Sequence, residues 1–255
     1  MRRTALLSIT SILALAACAD ESRVTSPAAN AAALGARPDV IAEANAAAEH
    51  AYQVTIENLT TGQVFSPGVI ATHTKEASVW EVGARASEGI RRIAEDGDDA
   101  TAVAELSGAP GLHAVISTLA PISRIGGPAG LPRSRTFTIH ASANANRLSV
   151  AVMLICTNDG FTGLSGVKLP GGFEPESYVV GAWDAGTEQN NERFNQIVDP
   201  CQMAGPVVSP PDGNGRVATN GVITTHPNIA GVGDLSVALH GWRFPVARIT
   251  IQRQK

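Results

Sequence analysis

Two stretches of the chain combine acids with glycine and hydroxyl side chains: CTNDGFTG, from Cys156 to Gly163, and GAWDAGTE, from Gly181 to Glu188. Carboxylates, hydroxyls and peptide carbonyls gathered on two loops are the donor set of a hard divalent cation, which takes six to eight oxygens. Gly186 allows the backbone between Asp184 and Glu188 to turn tightly, with positive φ if needed, so that both acids can address one pocket. Acids beside glycine also form turns and helix caps without binding anything. The elements around the two loops therefore have to be read first.

Each loop follows a short apolar run. LSVAVMLI, from Leu148 to Ile155, is nearly continuous and reads as a central strand buried on both faces; YVVGAW leads into the second loop. YQVTIEN alternates Tyr52, Val54 and Ile56 with polar residues, and RTFTIHA does the same with Phe137, Ile139 and Ala141, the pattern of half-buried strands. VFSPGVIATH is expected to break into two extended pieces at Pro67-Gly68, while VITTH, LSVALH and VARITIQ complete the strand set. Helical spacing occurs at Ile90, Ile93 and Ala94, with Ser87 as cap, and again from Thr101 to Leu106. With 25 glycines, 15 prolines and 4% aromatic residues, the expected fold is an all-β antiparallel sandwich with one or two short helices inserted in loops.

The chain's beginning points to export. Arg2 and Arg3 precede an apolar run from Ala5 to Leu15, too short to span a bilayer, and Leu15-Ala16-Ala17-Cys18 matches a bacterial lipobox whose cysteine becomes acylated. Residues 1–17 are read as a signal peptide, 18–51 as a lipidated flexible tether rich in Ala, Ser, Asn and Pro, and 52–255 as the folded domain. The implied location is the cell envelope, at the outer membrane or cell surface, with the membrane a partner through the lipid anchor. Loss of the signal removes two of 19 basic residues and no acids, leaving 17 against 23, a net charge of −6 that argues against nucleic acid as a partner. Cys156 and Cys201 remain in an oxidising compartment; they either pair, closing a loop of 45 residues, or stay as two buried thiols.

Other chemistries find less support. Asp96-Gly97-Asp98-Asp99 starts like an EF-hand loop but has Thr101 at the glycine position and Ser107 at the terminal glutamate position. GLSGV, from Gly163 to Val167, is out of step with a nucleophile elbow, and no GxxxxGK phosphate loop occurs. His73, His226 and His240 lack zincin spacing and read as polar contacts at strand ends; Trp80, Trp183 and Trp242 read as core plugs.

The order of SPGVIATH, IAEDGD, LICTNDGFTGL, AWDAGTE, HPNI and HGWRFPVARI resembles a bacterial spondin-domain protein, related to the amino-terminal domain of animal F-spondin and mindin. The resemblance spans roughly Tyr52 to Lys255, and its most specific piece is Asp-Ala-Gly-Thr-acid. It implies a sandwich similar to C2 domains and one Ca2+ held by Asp159, Asp184 and Glu188. The animal pattern has aspartate where this chain has Glu188, whose longer side chain can still chelate bidentately. Asn158 and the carbonyls of Thr157 and Gly186 are further oxygens that no motif assigns. The function so implied is a non-enzymatic, calcium-binding adhesion module recognising a protein, glycan or lipid ligand at its loop rim; the competing reading is an envelope hydrolase using the same acids.

Overall fold

A computed structural model describes residues 49–255; the expected signal peptide, Cys18 and nearly all of the expected tether lie outside the described residues. The strands in chain order are β1 (His50–Asn58), β2 (Phe65–His73), β3 (Leu112–Ser117), β4 (Ser134–Ala141), β5 (Arg147–Leu154), β6 (Gly160–Lys168), β7 (Glu176–Val180), β8 (Ala182–Asp184), β9 (Thr224–Thr225) and β10 (Ala247–Arg253). They form two antiparallel sheets, ordered β4-β1-β10-β7 and β3-β2-β5-β6-β8-β9. Among the described residues no helix is long and apolar enough to cross a membrane.

The uninterrupted apolar run of β5 has a simple cause. Side chains alternate across a strand, and both faces of β5 are covered. Leu148, Val150, Val152 and Leu154 enter a core between the sheets with Val54, Ile56, Ile139 and Ile249. Ala151, Met153 and Ile155 enter a second core with Ile90, Ile93, Trp80 and Phe161. Each fully buried large side chain contributes about 1.5–3 kcal/mol of transfer free energy. The second core is closed by two helices at the positions the sequence indicated. In α1 (Glu88–Asp96), Ser87 Oγ accepts from Ile90 N at 3.2 Å, and Gly97, at φ 66°, ends the helix. In α2 (Ala100–Leu106), Asp98 accepts from Ala100 N at 3.1 Å, so the Asp-rich run is a helix-to-helix connection.

Four segments differ from the expected pattern. Pro67-Gly68 does not split β2: a register shift between Phe65 and Gly68 absorbs the proline, and Gly68 passes so close to β5 that a Cβ would lie 2.1 Å from Ala151 O. LSVALH is not a strand, because Val237–His240 form the short helix α4, with Ser236 O accepting from His240 N and the His240 ring accepting in turn from Ser236 N at 2.9 Å. VITTH contributes only the two-residue β9. YVVGAW is divided at Gly181 between β7 and β8, which belong to different sheets. Another short helix, α3 (Pro200–Ala204), carries Cys201, which is bonded to Cys156.

Candidate metal centre

Pairing of β6 with β8 sets Gly160 opposite Asp184, so Asp159, immediately before β6, lies beside the last residue of β8. Ala185 N donates to Asp159 O at 3.1 Å and fixes the two loops together. The Asp159 side chain is fully buried, and its Oδ2 accepts from Thr187 N (2.7 Å), Glu188 N (3.0 Å) and Thr187 Oγ1 (3.2 Å). Asp184 Oδ1 accepts from Gly186 N at 2.7 Å, and its Oδ2 from Asn190 Nδ2 at 2.6 Å. Gly186 has φ 71°, as the tight turn demanded, and a Cβ there would lie 2.7 Å from Val222 N and O.

Asp159 Oδ1 is buried without a hydrogen-bond donor. Burial, reinforced by the Asp184 charge, pushes the Asp159 carboxyl up to about 6, against the pull of the Glu188 and Thr187 N–H groups. A buried carboxylate with one oxygen fully used and the other bare, next to a second carboxylate, suits a bound cation.

Glu188 is placed differently. Its peptide N–H belongs to this cluster, but its Oε1 lies 2.7 Å from Arg216 Nε, which is also 3.1 Å from Glu95 Oε2, while Asp96 contacts the same guanidinium. The Arg216 N–H does not point along the line to Glu188, so both Glu188 oxygens lack a hydrogen-bond donor. Burial first, then Glu95, then Asp159, push the Glu188 carboxyl up to about 9; the pull of the Asn158 side chain and of the Arg91 charge does not offset this. Asp159 and Asp184 are thus brought together and fit a cation, whereas the Glu188 carboxylate faces Arg216 and Glu95 and would have to turn to join them. The one group of three His, Cys, Asp or Glu donor atoms within 4.8 Å of one another among the described residues is Cys156, Cys201 and His240. Its sulfurs are already bonded, and His240 Nδ1 accepts from Ser236 N, which leaves the proton of the neutral ring on Nε2.

Two of the unassigned groups, Gly186 O and the Asn158 side chain, are occupied in holding the loops. Gly186 O accepts from Gly221 N and Thr219 Oγ1, both at 2.8 Å, and Asn158 donates to Gln196 O while accepting from Glu192 N. His226 covers Gly160, where a Cβ would lie 2.9 Å from its Cδ2. Burial lowers its pKa to about 4 against the charges of Asp184 and Glu192, so the ring is neutral. Sequence reasoning did not find Glu192, whose buried carboxylate accepts from the N–H groups of Ala230 (2.5 Å), Gly231 (2.7 Å) and Val232 (2.9 Å). The only signal was the Gly231–Gly233 spacing that lets this backbone curl around an anion.

The spondin N-terminal domain family model, Spondin_N, matches residues 49–197. The chain belongs to this family. The match takes in both acid loops of the spondin domain. It ends before β10, which sits inside the four-stranded sheet, so the sandwich is completed by residues beyond the matched span. No curated protein matches the chain.

Proposed function

We propose that the protein is a non-enzymatic, calcium-supported spondin-type binding module, exported and lipid-anchored through Cys18 at the cell envelope. The observation that carries the calcium reading is the buried, donorless Asp159 Oδ1 beside Asp184. Asp159 and Asp184 would hold the ion, and Glu188 would join them once its carboxylate leaves Arg216. Bound Ca2+ would supply a fixed double positive charge that relieves the repulsion between these acids. The chain's own groups do the positioning: Thr187 and Glu188 N–H aim Asp159, and Gly186 N–H with Asn190 aims Asp184.

The test is calorimetry with Ca2+ on the wild-type protein and on Asp184→Asn. Binding heat and a higher melting temperature are expected only for the wild type. Equal heats and equal thermal shifts in both proteins would remove calcium from the proposal, and turnover of ester or glycan substrates that stops with chelator would replace the binding module by a hydrolase.

A further inference from the structure

Next to the acid loops, the turn between β1 and β2 carries a feature the metal site does not use. Thr60 and Thr61 lie in a cavity of about 500 Å3 whose walls include Val237, Trp242 and Arg243. Four large apolar side chains are exposed around it: Phe244 (71%), Val237 (57%), Leu239 (49%) and Ile125 (40%). Val237 lies in the cavity wall, Phe244 follows Arg243 of that wall with its ring 3.7 Å from where a Gly181 Cβ would stand, and Ile125 and Leu239 meet the turn itself. Ile125 N donates to Thr60 O at 2.8 Å, and the carbonyls of Leu239 and His240 lie 2.6 Å from where a Gly62 Cβ would stand.

Three arginines stand among them. Arg243 lines the cavity, the Arg124 guanidinium donates to Thr61 O at 3.2 Å and also to the carbonyls of Ile125, Ala204 and Gly205, and exposed Arg133 is placed beside the turn by its backbone carbonyl, which accepts from Asn58 N at 2.9 Å. None of the three is paired with a carboxylate among the described residues. Nearby acids are already engaged: Glu57 by Arg248 at 2.7 Å, and Asp234 by the Phe194 N–H at 2.9 Å. On a protein of formal charge −4, this is a local basic rim set with apolar tips.

We propose that this face docks on an anionic lipid surface, with Phe244, Leu239, Val237 and Ile125 entering the headgroup layer and Arg124, Arg133 and Arg243 neutralising lipid phosphates. The charge pattern selects this occupant. Exposed apolar side chains interleaved with unpaired cations match an interface that is apolar at depth and negative at its surface. An acidic polysaccharide would use the arginines and leave the apolar tips in water; a second copy of this acidic chain would meet the same arginines. The proposal deepens the binding-module reading by naming a partner, but it does not depend on the cation. Gln63 joins the two regions: its Nε2 donates to His240 O (2.6 Å) and Cys156 O (3.2 Å), so the docking turn and the loop leading to Asp159 share one support.

The experiment is co-sedimentation of the full chain, carrying Cys18→Ser so that it cannot be acylated, with phosphatidylcholine vesicles containing or lacking phosphatidylglycerol, in chelator. Leu239→Ser/Phe244→Ser and Arg133→Ser/Arg243→Ser are compared with the parent; residues 1–48 are common to all three, so differences report on this face. The parent is expected to prefer phosphatidylglycerol and to release with salt, and each pair of changes to weaken partition roughly tenfold or more at unchanged melting temperature. Equal sedimentation of parent and variants, or no preference for the anionic lipid, would overturn the proposal. So would a parent that binds a soluble acidic polysaccharide instead, or one that self-associates through the substituted residues. Because chelator is present throughout, a failed Ca2+ titration and a failed lipid assay are separate results.

Discussion

Replacing Asp159 by asparagine separates a cation site from a purely structural carboxylate, because the two give opposite signs. The Asp159 carboxyl is raised from 3.8 to about 6 in the folded protein. A raised folded pKa means stability that is complete below pH 3.8 and is lost as pH rises through about 6. At pH 8 without calcium, the folded state therefore carries a cost of about 3 kcal/mol for holding this charge, at about 1.36 kcal/mol per pKa unit. Asparagine keeps an acceptor for the Thr187 and Glu188 N–H groups, but its NH2 falls where Oδ1 has no partner, costing about 1–2 kcal/mol. The net expectation for Asp159→Asn is a gain of about 1–2 kcal/mol at pH 8 in chelator, near neutrality or a small loss at pH 4.5, and no stabilisation by Ca2+. Urea unfolding at the two pH values, with chelator and with Ca2+, measures all four quantities. A variant less stable than the parent at pH 8 in chelator, yet still stabilised by Ca2+, would refute the reasoning.

Two further outcomes follow from the same loops. Cys156→Ala/Cys201→Ala opens a loop of 45 residues, and on the chain-entropy relation costs about 4 kcal/mol; denaturant midpoints should fall accordingly, with Ca2+ affinity falling too because Cys156 stands three residues before Asp159. Gly186→Ala combines positive φ with a Cβ placed 2.7 Å from Val222 backbone atoms, so thermal melting should show a loss of about 2 kcal/mol or more and Ca2+ binding should weaken, whereas Gly171→Ala, with nothing near its Cβ, should be neutral in both assays.

Much of this arrangement is written locally in the chain. Period-two alternation marks β1 and β4, and the double-sided β5 shows as an unbroken apolar run because two cores claim its two faces. Ser87, Gly97 and Gly186 announce their roles through capping and positive φ, properties of single residues. The surroundings of Glu188 could not be read this way. Arg216 and Glu95 reach it from segments far along the chain, and the competition among three carboxylates for one guanidinium exists only after folding. LSVALH misleads for a related reason: its alternation is genuine, but Val237 and Leu239 face solvent, so no core enforces the extended form.

The direction of β1 has a geometric consequence. The strand enters at His50, beside Arg253 and Phe173, and runs nine residues to Asn58, where the basic turn begins. At about 3.3 Å per residue, the point of entry and the rim stand roughly 30 Å apart, at opposite poles of the sandwich. An anchor upstream of β1 would hold the protein by one pole and present the arginines, the apolar tips and the acid loops at the other. A module so mounted is a bridge between two surfaces, and its reach is set by the length of one strand.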